Sequence, residues 1–140
     1  MPELPEVETV RNSLKKLVLG KEIRDIDVFY ERMIRNKTVE EFKEAFTGKT
    51  ITDIKRYGKY LVFIFEDIAL ISHLRMEGKY FIKELDEAKG KHEHVIFYFT
   101  DGLTLRYNDT RKFGTFDVCE LKDIENNSPI TKLGPEPFDK

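Results

Sequence analysis

The sequence predicts an α+β domain: a sandwich or barrel-like core of about seven to eight mostly antiparallel strands, with two α-helices at its side. Three observations lead there. Apolar residues recur at helical spacing in two places, over residues 5–18 and just after Thr38. From residue 50 onward, short stretches rich in Val, Ile, Phe and Tyr follow one another at regular spacing. Composition agrees: 40% hydrophobic residues, with eleven Phe among 140, give material for one domain's core even though 36% of residues are charged.

In chain order, the first helix reads over 5–18, with Val7, Val10, Leu14 and Leu17 on one stripe and Arg11, Lys15 and Lys16 turned away. Pro5 lies near its start, where a missing N–H is harmless. Strand-like text follows around Ile26, Val28 and Phe29. Thr38, with Glu41 three residues later, forms a capping box and opens a second helix that buries Val39, Phe42 and Phe46 and stops at Gly48. Seven further strands are read at 50–56, 59–66, 68–74, 78–85, 93–100, 103–108 and 114–119. Asp101-Gly102 between two of them is a two-residue hairpin signal. The stretch SPITKLGPEPFDK holds three of the five prolines and reads as leading out of the domain. The domain is placed at 1–134, with an interdomain linker beginning over 135–140.

Composition also sets exclusions. No run of about 18 apolar residues is present, so no membrane span is expected. MPELPEVETV lacks the basic-then-apolar order of a signal peptide, so the cytoplasm is the expected compartment. Cys119 is the only cysteine, which excludes an internal disulfide or a cysteine-built zinc site within this chain. Net charge is −2, but residues 117–140 carry six acids against three bases, leaving 21 bases and 20 acids in 1–116. That balance permits a nucleic-acid face and does not predict one.

Several residues could carry chemistry. Once Met1 is excised, Pro2 presents a free secondary amine. An α-amino group titrates near 8 and a lysine near 10.4, so its neutral fraction at pH 7 is roughly 250 times larger. Attack by such an amine on a sugar carbon gives an iminium, a good electron sink, and the adjacent Glu3 can protonate a leaving group or ring oxygen. The plainer reading is a proline-started helix whose Glu3, Glu6 and Glu8 favour its dipole. Lys59 in RYGKYLVF can bind phosphate or move a proton, or simply be a solvated strand-edge lysine. His92 and His94 are two apart and would share a face on a strand, as two metal ligands, a phosphate contact or plain surface residues. Met76 in SHLRMEGKY and the loop NDTRKFG complete the set. In an extended RKF, Arg111 and Phe113 point the same way and, beside Met76, make a wedge able to enter a base stack; otherwise Met76 and Phe113 are core.

In order along the chain, MPELPEVETV, RYGKYL, SHLRMEGKY, KHEHV, NDTRKFG and LGPEP resemble the N-terminal domain of bacterial formamidopyrimidine-DNA glycosylase. The resemblance covers all 140 residues and about half of such an enzyme. It departs at Thr110, where many members have Pro before the arginine. It implies an α+β fold with a β-sandwich of about seven to eight mostly antiparallel strands flanked by two α-helices. It implies Pro2 as the nucleophile at C1′ forming a Schiff base, Glu3 as general acid, Glu6 as a supporting carboxylate and Lys59 as the acid–base residue of β-elimination. His92 and Arg111 would contact DNA, and Met76, Arg111 and Phe113 would fill the space left by a flipped nucleotide. The implied activity is removal of oxidised purines (8-oxoguanine, formamidopyrimidine) from double-stranded DNA, followed by scission at the abasic site. The alternative is a catalytically silent or truncated DNA-binding module of the same family. No cofactor is expected in this chain. A structural zinc and a helix-two-turn-helix module are expected in the other half of such an enzyme, which is expected to be a monomer acting on bacterial nucleoid DNA.

Overall fold

The computed structural model describes residues 4–75, 78–124 and 130, with residues 4–6 described by their backbone alone. Helix α1 spans Leu4–Val18 and α2 spans Val39–Phe46; between them lie strand β1 (Ile23–Val28) and a 3-10 turn at Glu31–Met33. Seven strands follow: β2 (Asp53–Tyr57), β3 (Tyr60–Phe65), β4 (Ile68–His73), β5 (Lys79–Glu84), β6 (Glu93–Phe99), β7 (Leu103–Asn108) and β8 (Thr115–Glu120). They form two four-stranded sheets, ordered β1-β6-β7-β5 and β2-β3-β4-β8, with every pairing antiparallel.

The sheets pack face to face, a β-sandwich. Tyr80 and Tyr107 of the first sheet meet Phe63 and Phe116 of the second at ring-centroid distances of 5.4 and 5.0 Å. Helix α2 closes one opening between them. Its capping box is formed, with the Thr38 Oγ1 accepting from the Glu41 N–H and the Glu41 carboxylate accepting from the Thr38 N–H. The helix then drives Phe42 against Phe97 and Phe116, one on each sheet, and Phe46 against Phe65. The second sheet is apolar on its other face too, where Tyr57, Val62, Ile64, Ala69 and Ile71 are covered by Ile124 and Ile130. This is why β3 and β4 are each buried at five successive positions instead of alternating.

Three expectations from sequence are corrected. Leu17 is 50% exposed; Val18 takes its place, and the buried stripe is Val7, Leu14 and Val18, following the 3.6-residue turn more closely. Phe29 lies beyond the end of β1 and is exposed, with the Lys89 ammonium 4.9 Å from its ring centre. The strand expected at 50–56 pairs as a ladder only over Asp53–Tyr57, because Thr50 is held by an isolated bridge to Glu22. The linker expected at 135–140 lies outside the described residues.

Phe42→Ala is expected to cost about 3–5 kcal/mol, as for a core aromatic, while Leu17→Ala stays within about 0.5 kcal/mol. Urea denaturation of the two variants separates them.

Candidate functional site

Two connections cross from one sheet to the other at the same end of the sandwich. His73, the last residue of β4, pairs with Thr115, the first of β8, and Lys79, the first of β5, pairs with Asn108, the last of β7. The β4–β5 and β7–β8 connections therefore start and end at neighbouring strand ends. The Gly58-Lys59 turn joins the same rim, since Tyr60 just after it also pairs with His73. Gly58 takes φ +63 at the first position of this two-residue turn, a conformation glycine reaches without strain. Helix α1 points its start the same way. Its Glu8 bonds Arg56 at 2.8 Å and its Lys15 meets Asp53, so it runs antiparallel to β2, and Arg56 also donates to the Gly58 carbonyl.

Lys59 is half-buried in the turn. Its charge, with that of Arg75, acts on His73: burial first and then these two cations lower the His73 pKa from its ordinary 6.5 to about 4. Neutral His73 accepts the Arg75 N–H on Nδ1, holding Arg75 at φ +57, which a non-glycine residue takes only when its surroundings impose it. Arg111 and Phe113 lie in the β7–β8 connection; Phe113 is 48% exposed, with the Arg111 guanidinium carbon 5.3 Å from its ring centre. The reading of Phe113 as core is thereby set aside. Pro2, Glu3 and Met76 lie outside the described residues, as does the side chain of Glu6.

The expectation that His92 and His94 form a pair on one face is corrected. His92 precedes β6 and is half-exposed, its carbonyl accepting the Asp109 N–H. His94 is buried beside Tyr30, with Nε2 2.9 Å from the Asp109 carbonyl oxygen. A carbonyl can only accept, so His94 Nε2 carries the hydrogen and is already engaged. Among the described residues, no three His, Cys, Asp or Glu cluster as for a metal ion.

Sequence reasoning missed the residue that shapes the β7–β8 connection. Asp109 is fully buried. Its Oδ1 accepts from the N–H groups of Arg111 and Lys112, and its Oδ2 from Gly114 N–H and the Tyr107 hydroxyl, at 2.8–3.1 Å. Lys112 is left at φ +59, with its ammonium 4.8 Å from the Tyr30 ring centre. An Asp followed by four residues and then Gly was the available signal, since aspartate carboxylates commonly bind backbone N–H groups two or more residues on. A second network went unread as well. Buried Arg106 and Glu93 pair at 3.0 Å, and Arg106 also donates to the carbonyls of Glu84, Glu87 and Ala88, fastening the β5–β6 connection that leads to His92. Burial would raise the Glu93 pKa, but bonds from Lys83, the Gly90 N–H and Arg106 outweigh it and hold the carboxylate at about 2.

The arrangement is that of a β-sandwich whose inter-sheet loops present a cation and an unburied aromatic ring at one rim. Residues 1–116 match the model of the formamidopyrimidine-DNA glycosylase N-terminal domain, and the chain belongs to that family. It is 54% identical to the formamidopyrimidine-DNA glycosylase of Ligilactobacillus salivarius over all of this chain and 51% of that protein. It is 49% identical to that of Oceanobacillus iheyensis over 99% of this chain and 50% of that protein. Among solved structures, it matches Lactococcus lactis Fpg in complex with DNA containing an abasic site, at TM-score 0.84 and 46% identity, covering 88% of this chain and 45% of that one. MutM in complex with DNA containing carbocyclic 8-oxo-G matches with TM-score 0.84 and 46% identity, over 88% of this chain and 46% of that one. The chain thus spans about half the length of the curated relatives it matches.

Because the His73 pKa is lower in the fold than in the unfolded chain, its contribution is present above about pH 6.5 and is lost as pH falls towards 4. His73→Gln is therefore expected to flatten the stability–pH curve across that window, measured by urea midpoints at successive pH values. Phe113→Ala should leave the midpoint within about 0.5 kcal/mol of the parent, as for an exposed side chain.

Proposed function

We propose that this chain is the amine-bearing half of a bifunctional base-excision DNA glycosylase and abasic-site lyase acting on oxidised purines in double-stranded DNA. The supporting observation is the convergence at one rim of the start of α1, the Gly58-Lys59 turn, and two inter-sheet loops, one carrying Arg111 over an exposed Phe113. Relatives whose structures hold abasic-site and 8-oxo-G DNA share half their length with it.

In this reading the unprotonated nitrogen of Pro2, freed by loss of Met1, forms a bond to C1′. The C1′–base bond breaks with its electron pair going to the base, which takes up a proton. Opening of the sugar, with Glu3 delivering a proton to the ring oxygen and Glu6 supporting it, leaves the nitrogen doubly bonded to C1′ as an iminium. Loss of a C2′ proton, moved by Lys59, then feeds electrons towards the iminium and expels the 3′ phosphate. His92 and Arg111 hold the backbone, and Met76, Arg111 and Phe113 fill the vacated stack, offsetting part of the few kcal/mol of unstacking. The remaining half would supply the opposite wall of the cleft and a structural zinc, in a cytoplasmic monomer. No helix among the described residues is long and apolar enough to cross a membrane.

Borohydride trapping on abasic DNA tests the reading, with the complete protein and Met1 loss verified by intact mass. A covalent adduct is expected, strongly reduced in Pro2→Gly. Undiminished trapping by Pro2→Gly would remove Pro2 from the role, and absence of any adduct would favour a catalytically silent module. Lys59→Ala should slow scission of a preformed abasic site more than base release, as read by gel assays with and without alkali.

A further inference from the structure

We infer that Tyr107 and Asp109 form a clasp that couples the two inter-sheet connections, making them one mechanical unit that positions Arg111 and Phe113. The inference deepens the DNA-binding reading and rests on it for its purpose. Tyr107 and Asp109 are both fully buried, and the Tyr107 hydroxyl donates to Asp109 Oδ2 at 2.9 Å. Around that hydroxyl the chain passes twice at a distance only glycine allows. A Cβ on Gly114 would lie 1.7 Å from the Tyr107 oxygen, and one on Gly78 would lie 2.4 Å from it. Gly114 has no positive φ, so its requirement is for space rather than for a special backbone conformation.

These glycines end the two connections. Gly78 stands immediately before β5 and donates its N–H to the Leu74 carbonyl, closing the β4–β5 connection on itself. Gly114 stands immediately before β8 and donates to Asp109 Oδ2, the same oxygen that accepts from Tyr107. One hydroxyl therefore lies against the closing residue of both connections, while Asp109 Oδ1 holds the N–H groups of Arg111 and Lys112 within the β7–β8 connection. Tyr107 itself is fixed by β7 and by rings from both sheets, Tyr80 and Phe116. A shift of either connection must displace the hydroxyl and so reach the other. Tyr107 and Asp109 touch no substrate in this account. They are positioning residues.

The test is amide hydrogen exchange of this 140-residue chain, followed by NMR, for the parent, Tyr107→Phe and Asp109→Asn. Removing the hydroxyl should speed exchange at least tenfold at both Gly78 and Gly114, with Val62 and Phe97 in the core strands unchanged. Asp109→Asn should loosen Arg111, Lys112 and Gly114 and carry over to Gly78. Acceleration at Gly114 with Gly78 unchanged would overturn the coupling, as would a uniform rise at all amides, which would make Tyr107 an ordinary core residue. Should Tyr107→Phe not fold, the Gly78 response in Asp109→Asn decides the matter alone. This measurement needs no DNA. A parallel titration with an abasic duplex reports on the proposed function separately, with about tenfold weaker binding expected for Tyr107→Phe in the complete protein.

Discussion

The rim of this sandwich depends on one buried carboxylate. Asp109 is shielded from water and receives its compensation from three backbone N–H groups and one hydroxyl. Hydrogen bonds to a charged group contribute about 1.5–3 kcal/mol each, so four of them can offset the desolvation of one carboxylate where none alone would. Two of the four acceptances are from consecutive residues, Arg111 and Lys112, and they bend the chain tightly enough to hold Lys112 at a left-handed φ. The exposed tip is thereby built on an ordered base. A loop side chain becomes useful for recognition when its supporting contacts are themselves fixed.

A second polar network serves the opposite face of the first sheet by different means. Arg106 meets Glu93 as an ion pair, donates its Nε–H to Thr104 Oγ1, and gives its terminal nitrogens to three carbonyls that begin and line the β5–β6 connection. Lys83 and the Gly90 N–H are the carboxylate's other partners. Breaking such a pair by removing one member leaves an uncompensated charge, the costly case for buried ions. Where Asp109 uses backbone amides to shape a tip, Arg106 uses backbone carbonyls to press a long connection against a sheet. The connection ends at His92, whose carbonyl receives the Asp109 N–H, so the two networks meet through one backbone bond.

Much of this architecture was legible in the sequence. Alternating and continuous apolar stretches marked all eight strands, and Thr38 with Glu41 marked the start of α2. Errors fell where tertiary contacts decide. Leu17 and Val18 are adjacent apolar residues at the end of α1, and only the position of the sheet determines which is buried. Thr50 looks like strand but finds its bridge partner in Glu22, far away in sequence. The candidate site was legible as residue types: a cation and an aromatic two apart, a lysine after a turn glycine. What holds them was not. Asp109 looks like a loop aspartate, Tyr107 like one more strand aromatic, and Arg106 like a surface charge on an alternating strand. Their roles come from register, which sets His73 opposite Thr115 and Lys79 opposite Asn108, and no local pattern carries that information.

Net charge and local charge point in different directions for this chain, and local charge is the more relevant to binding. The whole sequence sums to −2, which offers little general attraction to a polyanion. Yet the rim gathers Lys59 in its turn, Arg75, Arg111 and Lys112 in the connections and Lys79 at the start of β5, next to strand ends that the pairing brings together. At physiological salt, charges interact over about 8 Å, so a polyanion at this rim would sense these cations more than the overall charge of −2. The same rim leaves Phe113 unburied, although an exposed large apolar side chain gains nothing from solvent. Arg111 covers one part of the ring and remains hydrated itself, a contact worth about 0.5–1 kcal/mol at an exposed site. That contact also keeps cation and ring on one side, so an anion drawn to the guanidinium would arrive beside an apolar surface. Cation and exposed ring are then presented by one short segment, whose geometry is set from beneath by Asp109.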